Sequence, residues 1–288
     1  MMWLFLSLLA ALSLATADAL TKKYFSRLSA YEMGITRLAY TLPWLVIALF
    51  FIPYPTLDRT FFICLAVGLP LEGLAFYSYM SAIKRSPLSL TLPFLAFTPA
   101  FIIVSGWLIL GETLTYTGIA GILLIVTGSY FLNFSHVKTG ILAPFRAIGT
   151  EPGSRLMLLV SFIYSLTSTI GKKAILHSNP YFFGVTYFIV FTLFMLSLFP
   201  AAPNARRKAL LHKPAAGMIL GAFMALMIFS HMLAISMVQT AYMISVKRTS
   251  LIFGVLYGAW LFREEKIAER LTGAVIMMIG VFLIGWFG

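Results

Sequence analysis

The sequence predicts an all-α integral membrane protein with ten transmembrane helices arranged as two inverted five-helix repeats. Three observations carry this: composition, the spacing of apolar runs, and self-similarity at a near-constant offset. Of 288 residues, 60% are hydrophobic and 10% charged, and the mean hydropathy is +0.95. A soluble domain carries about 25% charged residues. Apolar runs separated by polar or Pro/Gly punctuation fall near 2–21, 31–52, 60–83, 87–110, 114–133, 155–176, 181–200, 215–237, 240–262 and 267–287. Most approach the ~20 residues that a helix needs to cross a bilayer.

The first run, MMWLFLSLLAALSLATADAL, has no basic residue before it and is followed by Lys22 and Lys23. A secretory signal has the reverse order, so the run is expected to be a retained first helix. The second span carries Arg37, and the third carries Glu72 near its middle. In the fourth, Pro93 and Pro99 remove backbone donors, giving either a broken helix that faces a cavity or a packed kink. The longest polar connection, Asn133 to Arg155, follows the fifth span and divides the chain into repeats at 1–133 and 155–288, joined by 134–154.

The repeats are visible residue by residue. Tyr31, Gly34 and Thr36 recur 150 positions later as Tyr181, Gly184 and Thr186, and Lys22-Lys23 recurs as Lys172-Lys173. From the third span the offset is 152, pairing Met80 with Met232, Ala82 with Ala234, Phe101 with Phe253 and Gly106 with Gly258. It also pairs Glu112 with Glu264, Gly121 with Gly273 and Gly128 with Gly280. Five spans per unit invert the second copy in the membrane, a plan common to secondary carriers with a central site.

Fifteen Lys and Arg lie in the connections after odd-numbered spans, against three (Arg59, Lys172, Lys173) after even ones. Positive-inside bias then places the odd connections in the cytoplasm and both termini outside. The net charge of +12 is explained by headgroups and topology rather than by nucleic acid. The single Cys64 excludes an internal disulfide and reads as a small core residue. No His-Glu-x-x-His or Gly-x-Ser-x-Gly pattern occurs, which argues against an intramembrane enzyme; no metal or cofactor is expected.

Candidate site residues are the polar intramembrane positions that have no matching residue in the other repeat. Lys247 and Arg248 lie inside the ninth span, opposite Leu95 and Ala96. Each cation near the bilayer centre costs about 2.5–3.5 kcal/mol, so a lined cavity is expected, with snorkelling as the alternative. A guanidinium fork and a mobile ammonium together suit a carboxylate or phosphate. Glu72, opposite Met224, is expected either to pair with a cation or to couple protons or substrate. Arg37, opposite Tyr187, is expected to snorkel or to pair with Glu72. His231 lies opposite Tyr79 on a Met-rich helix, where a packing role competes with a site role. Tyr242, Tyr77 and Tyr79 are candidate walls of the site. Glu112 and Glu264 match each other at turns before a helix, where a carboxylate caps free N–H groups. Lys22, Lys23, Lys172 and Lys173 match at span ends and read as headgroup anchors.

The fourth span runs into a Gly-Glu turn and a Gly-x6-Gly fifth helix, LILGETLTYTGIAGILLIVTG, with LFREEKIAERLTGAVIMMIG as its counterpart and Arg263 in place of the glycine. With the Ala82/Ala234 ends of the third and eighth spans, this resembles the EamA-type ten-helix transporters of the drug/metabolite transporter superfamily along essentially the whole chain. The resemblance implies a carrier of a small metabolite in the bacterial inner membrane. A proton or counter-ion is the candidate coupling partner, and the chain would act as a monomer or homodimer. The SVKRTS segment is similar to the Lys-Arg pair in the ninth helix of triose-phosphate and nucleotide-sugar translocators, which implies anion binding by Lys247 and Arg248. Members of the family are usually drawn with both termini in the cytoplasm; the charge count of this chain favours both outside. Alternatives of the same fold are an amino-acid or drug exporter, and a lipid-flipping or scaffold protein.

Overall fold

The computed structural model describes residues 1–85, 92–132, 152–198, 212–262 and 267–288, and among these all regular structure is helical. Helices α1 (Met2–Phe25), α2 (Ala30–Leu49), α3 (Arg59–Arg85), α4 (Thr98–Leu110) and α5 (Tyr116–Leu132) form the first half. The second half holds α6 (Pro152–Leu176), α7 (Pro180–Ser197), α8 (Pro214–Met237), a ninth helix in two pieces, α9a (Thr240–Lys247) and α9b (Ser250–Phe262), and α10 (Ile267–Phe287). Five of these, α1, α3, α6, α7 and α8, are long and apolar enough to cross a membrane by length and composition.

The packing inverts the pattern of a soluble core. Along α1 the buried face is small or hydroxylic (Ser7, Ala10, Ala11, Ser13, Ala17), whereas Phe5 and Leu12 are exposed. Lipid is as apolar as leucine, so small residues on a helix face stabilise by letting backbones approach closely. Trp107, Leu108, Trp260 and Phe282 belong to that exposed apolar surface.

Helix–helix contacts carry the repeat. In the first half α1 packs on α8 and on both pieces of the ninth helix; in the second, α6 packs on α3 and α4. Helices α5 and α10 pair with each other, as do α2 and α7. Within α5–α10 the matched glycines cross over. A Cβ on Gly121 would stand 2.9 Å from the Gly280 carbonyl oxygen, and one on Gly128 would stand 2.7 Å from that of Gly273. The reciprocal contact is a property of two copies related by an inverting pseudo-two-fold axis. Matched caps start the second helix of each half: Ser29 and Glu32 form a capping box on α2, and Asn179 accepts from the Phe182 N–H on α7.

The ninth span differs from the uninterrupted helix expected over 240–262. It breaks at Arg248-Thr249, where the Thr249 N–H bonds Val246 O and the Leu251 N–H bonds Arg248 O, one residue tighter than the α ladder. In the first half a 3-10 turn, Leu92–Phe97, gives way to α4 at Thr98. Thr98 and Ser250, the first residues of α4 and α9b, are 152 apart, so both halves break at the same repeat position. Pro99 begins α4 rather than kinking its middle. The beginning of the expected fourth span, with the connection at 134–154, lies outside the described residues.

Candidate functional site

The two helix breaks lie at one cavity of about 200 Å³ inside the bundle. Much of its lining follows the repeat. Asp18 and Ser168, Arg37 and Tyr187, Glu72 and Met224, Tyr79 and His231, and Leu95 and Lys247 are all on its wall. The cavity therefore lies on the pseudo-axis, while its chemistry is asymmetric: in all five of these pairs a charged group or imidazole faces a neutral or apolar partner. Six residues singled out from the sequence, Lys247, Arg248, Glu72, Arg37, His231 and Tyr79, come together here from α2, α3, α8 and the break in helix nine.

Three expectations are corrected. Tyr242 is not on the cavity wall; it is 1% exposed, and its hydroxyl accepts the Thr115 N–H at 2.9 Å beyond the other end of α9a. It fits there because Gly118 leaves the space: a Cβ on Gly118 would stand 2.1 Å from the Tyr242 hydroxyl oxygen. Tyr77 is 54% exposed, on the outer surface. Arg37 neither snorkels nor pairs with Glu72. It is 5% exposed and donates from Nη1 to Asp18 Oδ1 at 2.6 Å, with Met224 Sδ 2.9 Å from its Nε.

The matched groups do more than expected. Lys172 is buried rather than anchored in headgroups; its Nζ lies 2.5 Å from Glu112 Oε1 and 2.6 Å from the Val238 carbonyl oxygen. Glu112 caps a helix of the other half, accepting the Thr240 N–H at 2.9 Å at the start of α9a. Glu264 lies outside the described residues.

The electrostatics separate the cations. Arg37 has Asp18 and Lys172 has Glu112. Among the described residues, neither Lys247 nor Arg248 has a carboxylate within ion-pair distance. The ammonium of Lys247 lies 3.0 Å from His231 Nδ1; an ammonium only donates, so Nδ1 accepts and the ring proton is on Nε2. Arg248 donates from Nη2 to Thr98 Oγ1 at 2.8 Å, which ties one helix break to the other. The buried Arg248 Nε has no hydrogen-bond partner among the described residues. Glu72 is the remaining carboxylate of the wall, beside Thr167. With two pairs neutralised, two cations face one carboxylate.

Asp18, Thr98, Tyr164 and Thr167 escaped the sequence reading. Asp18 carried a usable signal, since its repeat counterpart, Ser168, is uncharged. Its nearness to the end of the first span hid it. Among the described residues no group of His, Cys, Asp and Glu could hold a metal ion.

A helical membrane fold with inverted halves around a polar, cation-rich cavity is the architecture of a transporter. Residues 1–134 match the EamA-like transporter family, so over its first half the chain is similar to that family of membrane transporters. No curated protein matches the chain. A solved crystal structure is similar in fold, with a TM-score of 0.73 and 13% sequence identity over 98% of this chain and 94% of that one.

Proposed function

We propose that the protein moves a small anionic metabolite, a carboxylate or a phosphorylated compound, across the bacterial inner membrane by alternating access. The observation that carries this is the pair Lys247 and Arg248, held inside the bundle with only neutral direct partners. With Glu72 as the one carboxylate facing two cations, one positive charge is left in surplus, at about 2.5–3.5 kcal/mol at mid-membrane. An arriving anion offsets that cost, and Arg248 Nε, without a partner among the described residues, adds a free donor. Breaking the ladder at the same repeat position in both halves gives each half a hinge, and the two halves rock about the cavity. Glu72 balances the surplus charge or couples it to a proton or counter-ion.

The cavity, about 200 Å³, is below the ~300–1,000 Å³ of drug-sized sites, which disfavours a drug exporter. One further reading has a specific observation in its favour. Glu72 shares the cavity with the cations, so an amino acid would place its carboxylate at Arg248 and its ammonium at Glu72. The test is thermal shift of the purified protein against carboxylates, phosphates and amino acids, then uptake of the stabilising compounds into sealed proteoliposomes. Stabilisation and saturable uptake of an anion support the proposal. Uptake only of zwitterions selects the second reading. Movement of a labelled lipid that no water-soluble anion competes against would replace both with a flippase.

A further inference from the structure

Lys172 was matched between the repeats and so fell outside the substrate-binding set, yet the structure places it on the cavity wall. Its side chain is 11% exposed and its partner Glu112, also 11% exposed, is not on that wall. The pair thus spans from the cavity to the end of the bundle. Glu112 comes from the turn after α4, Lys172 from the last turns of α6, and Thr240, held by the same carboxylate, opens α9a. Both halves of the chain meet in one cluster.

The cluster is built for this contact. A Cβ on Gly106 would approach Glu112 Oε2 to 3.1 Å, so glycine there makes room for the carboxylate. Glu112 satisfies the free N–H of Thr240, and the eight residues of α9a end at Lys247. At 1.5 Å per residue α9a is about 12 Å long, a short rigid strut between this cluster and the two site cations. Any shift of Glu112 moves the end of the strut, and with it the residues that face the cavity.

We propose that Lys172 is a second anion-contact residue and that Glu112–Lys172 is the gate at this end of the cavity. This rests on the anion reading above. Leaving Lys247 and Arg248, the anion reaches Lys172, takes the place of the Glu112 carboxylate and frees Glu112 from the ammonium. A charge on Lys172 is never left bare, so opening exchanges one ion pair for another rather than exposing a buried cation. The gate then opens when the substrate is anionic and has arrived.

The test uses the full chain in lipid vesicles with Cys64→Ala and one new thiol, Ile235→Cys, on the cavity wall beside this cluster. A membrane-impermeant maleimide is applied to each face separately, with inorganic phosphate or acetate as probe anion. Glu112→Gln is expected to raise labelling several-fold from one face only. Phosphate or acetate is expected to raise it likewise with Lys172 in place, and not in Lys172→Met. Lys172→Arg, which keeps a cation for both Glu112 and an anion, is expected to retain low labelling and the anion response together. Labelling unchanged by Glu112→Gln overturns the gate. An anion response that persists in Lys172→Met but is lost in Arg248→Ala overturns the role of Lys172 and leaves the anion reading standing. A response that survives Arg248→Ala and Lys247→Ala removes the anion reading itself, and no response to either anion overturns the displacement step.

Discussion

Arg37 on α2 donates to Asp18 on α1 at 2.6 Å, and both side chains lie on the wall of the central cavity. This pair neutralises the cation that the sequence had offered to Glu72, and it leaves Glu72 to face Lys247 and Arg248. Asp18→Asn should therefore free a third cation in the cavity. The expected outcome is altered charge selectivity in vesicle uptake, with tighter binding of multivalent anions, while folded yield falls by a modest amount because Arg37 loses its partner.

Arg248 is expected to dominate binding. A charge-assisted hydrogen bond contributes about 1.5–3 kcal/mol, so Arg248→Ala should weaken anion binding about 10- to 100-fold. Arg248→Lys should recover only part, since the ammonium lacks the fork that reaches Thr98 and the substrate together. Substrate-dependent thermal shift measures both. Wild-type affinity in the two variants would remove Arg248 from the site.

Glu72→Gln distinguishes the roles left to that carboxylate. If Glu72 couples transport to protons, the variant transports with a flat pH profile. A profile parallel to that of the parent protein, at reduced rate, means that Glu72 only balances charge.

Tyr242→Phe should leave substrate affinity unchanged. It removes the acceptor of the Thr115 N–H, so the loss is in stability, about 0.5–1.5 kcal/mol for one hydrogen bond. A changed transport KM at unchanged stability would return Tyr242 to the substrate pathway.

Just before α3, Asp58 accepts the Phe61 N–H and lies 2.6 Å from His177 Nδ1. The Phe61 N–H first, and then His177, hold its carboxyl below the ordinary 3.8. A depressed carboxylate stabilises the fold above its unfolded pKa and loses that contribution as pH falls through the lowered value. Asp58→Asn should therefore lower the Tm at pH 7, and the difference from the parent should vanish in strong acid. A constant difference at every pH would contradict this assignment.

Several features were legible because they depend on local chain chemistry. Membrane insertion follows from apolar runs, the repeat from the near-constant offset, and the placement of Lys247 and Arg248 on an internal cavity from the cost of charge in hydrocarbon. Unmatched polarity found six of the cavity residues, because an asymmetric cavity between two similar halves needs residues that break the repeat. It failed for Tyr242, where spacing along the helix could not show that α9a aims this side chain at Gly118 rather than inward. It failed for Lys172 too, since a matched residue can be buried on one side of the molecule and serve a different purpose from its counterpart.

From sequence alone came the ten-helix inverted plan and the presence of intramembrane charge, both written in composition and period. Which carboxylate meets which cation was decided only by tertiary structure. Asp18 and Arg37 are 19 residues apart but Glu112 and Lys172 are 60 apart, and no pattern along the chain ranks such pairings. The same holds for the break in helix nine: its ladder tightens where Arg248 reaches across to Thr98, a contact that exists only once the two halves have closed around the cavity.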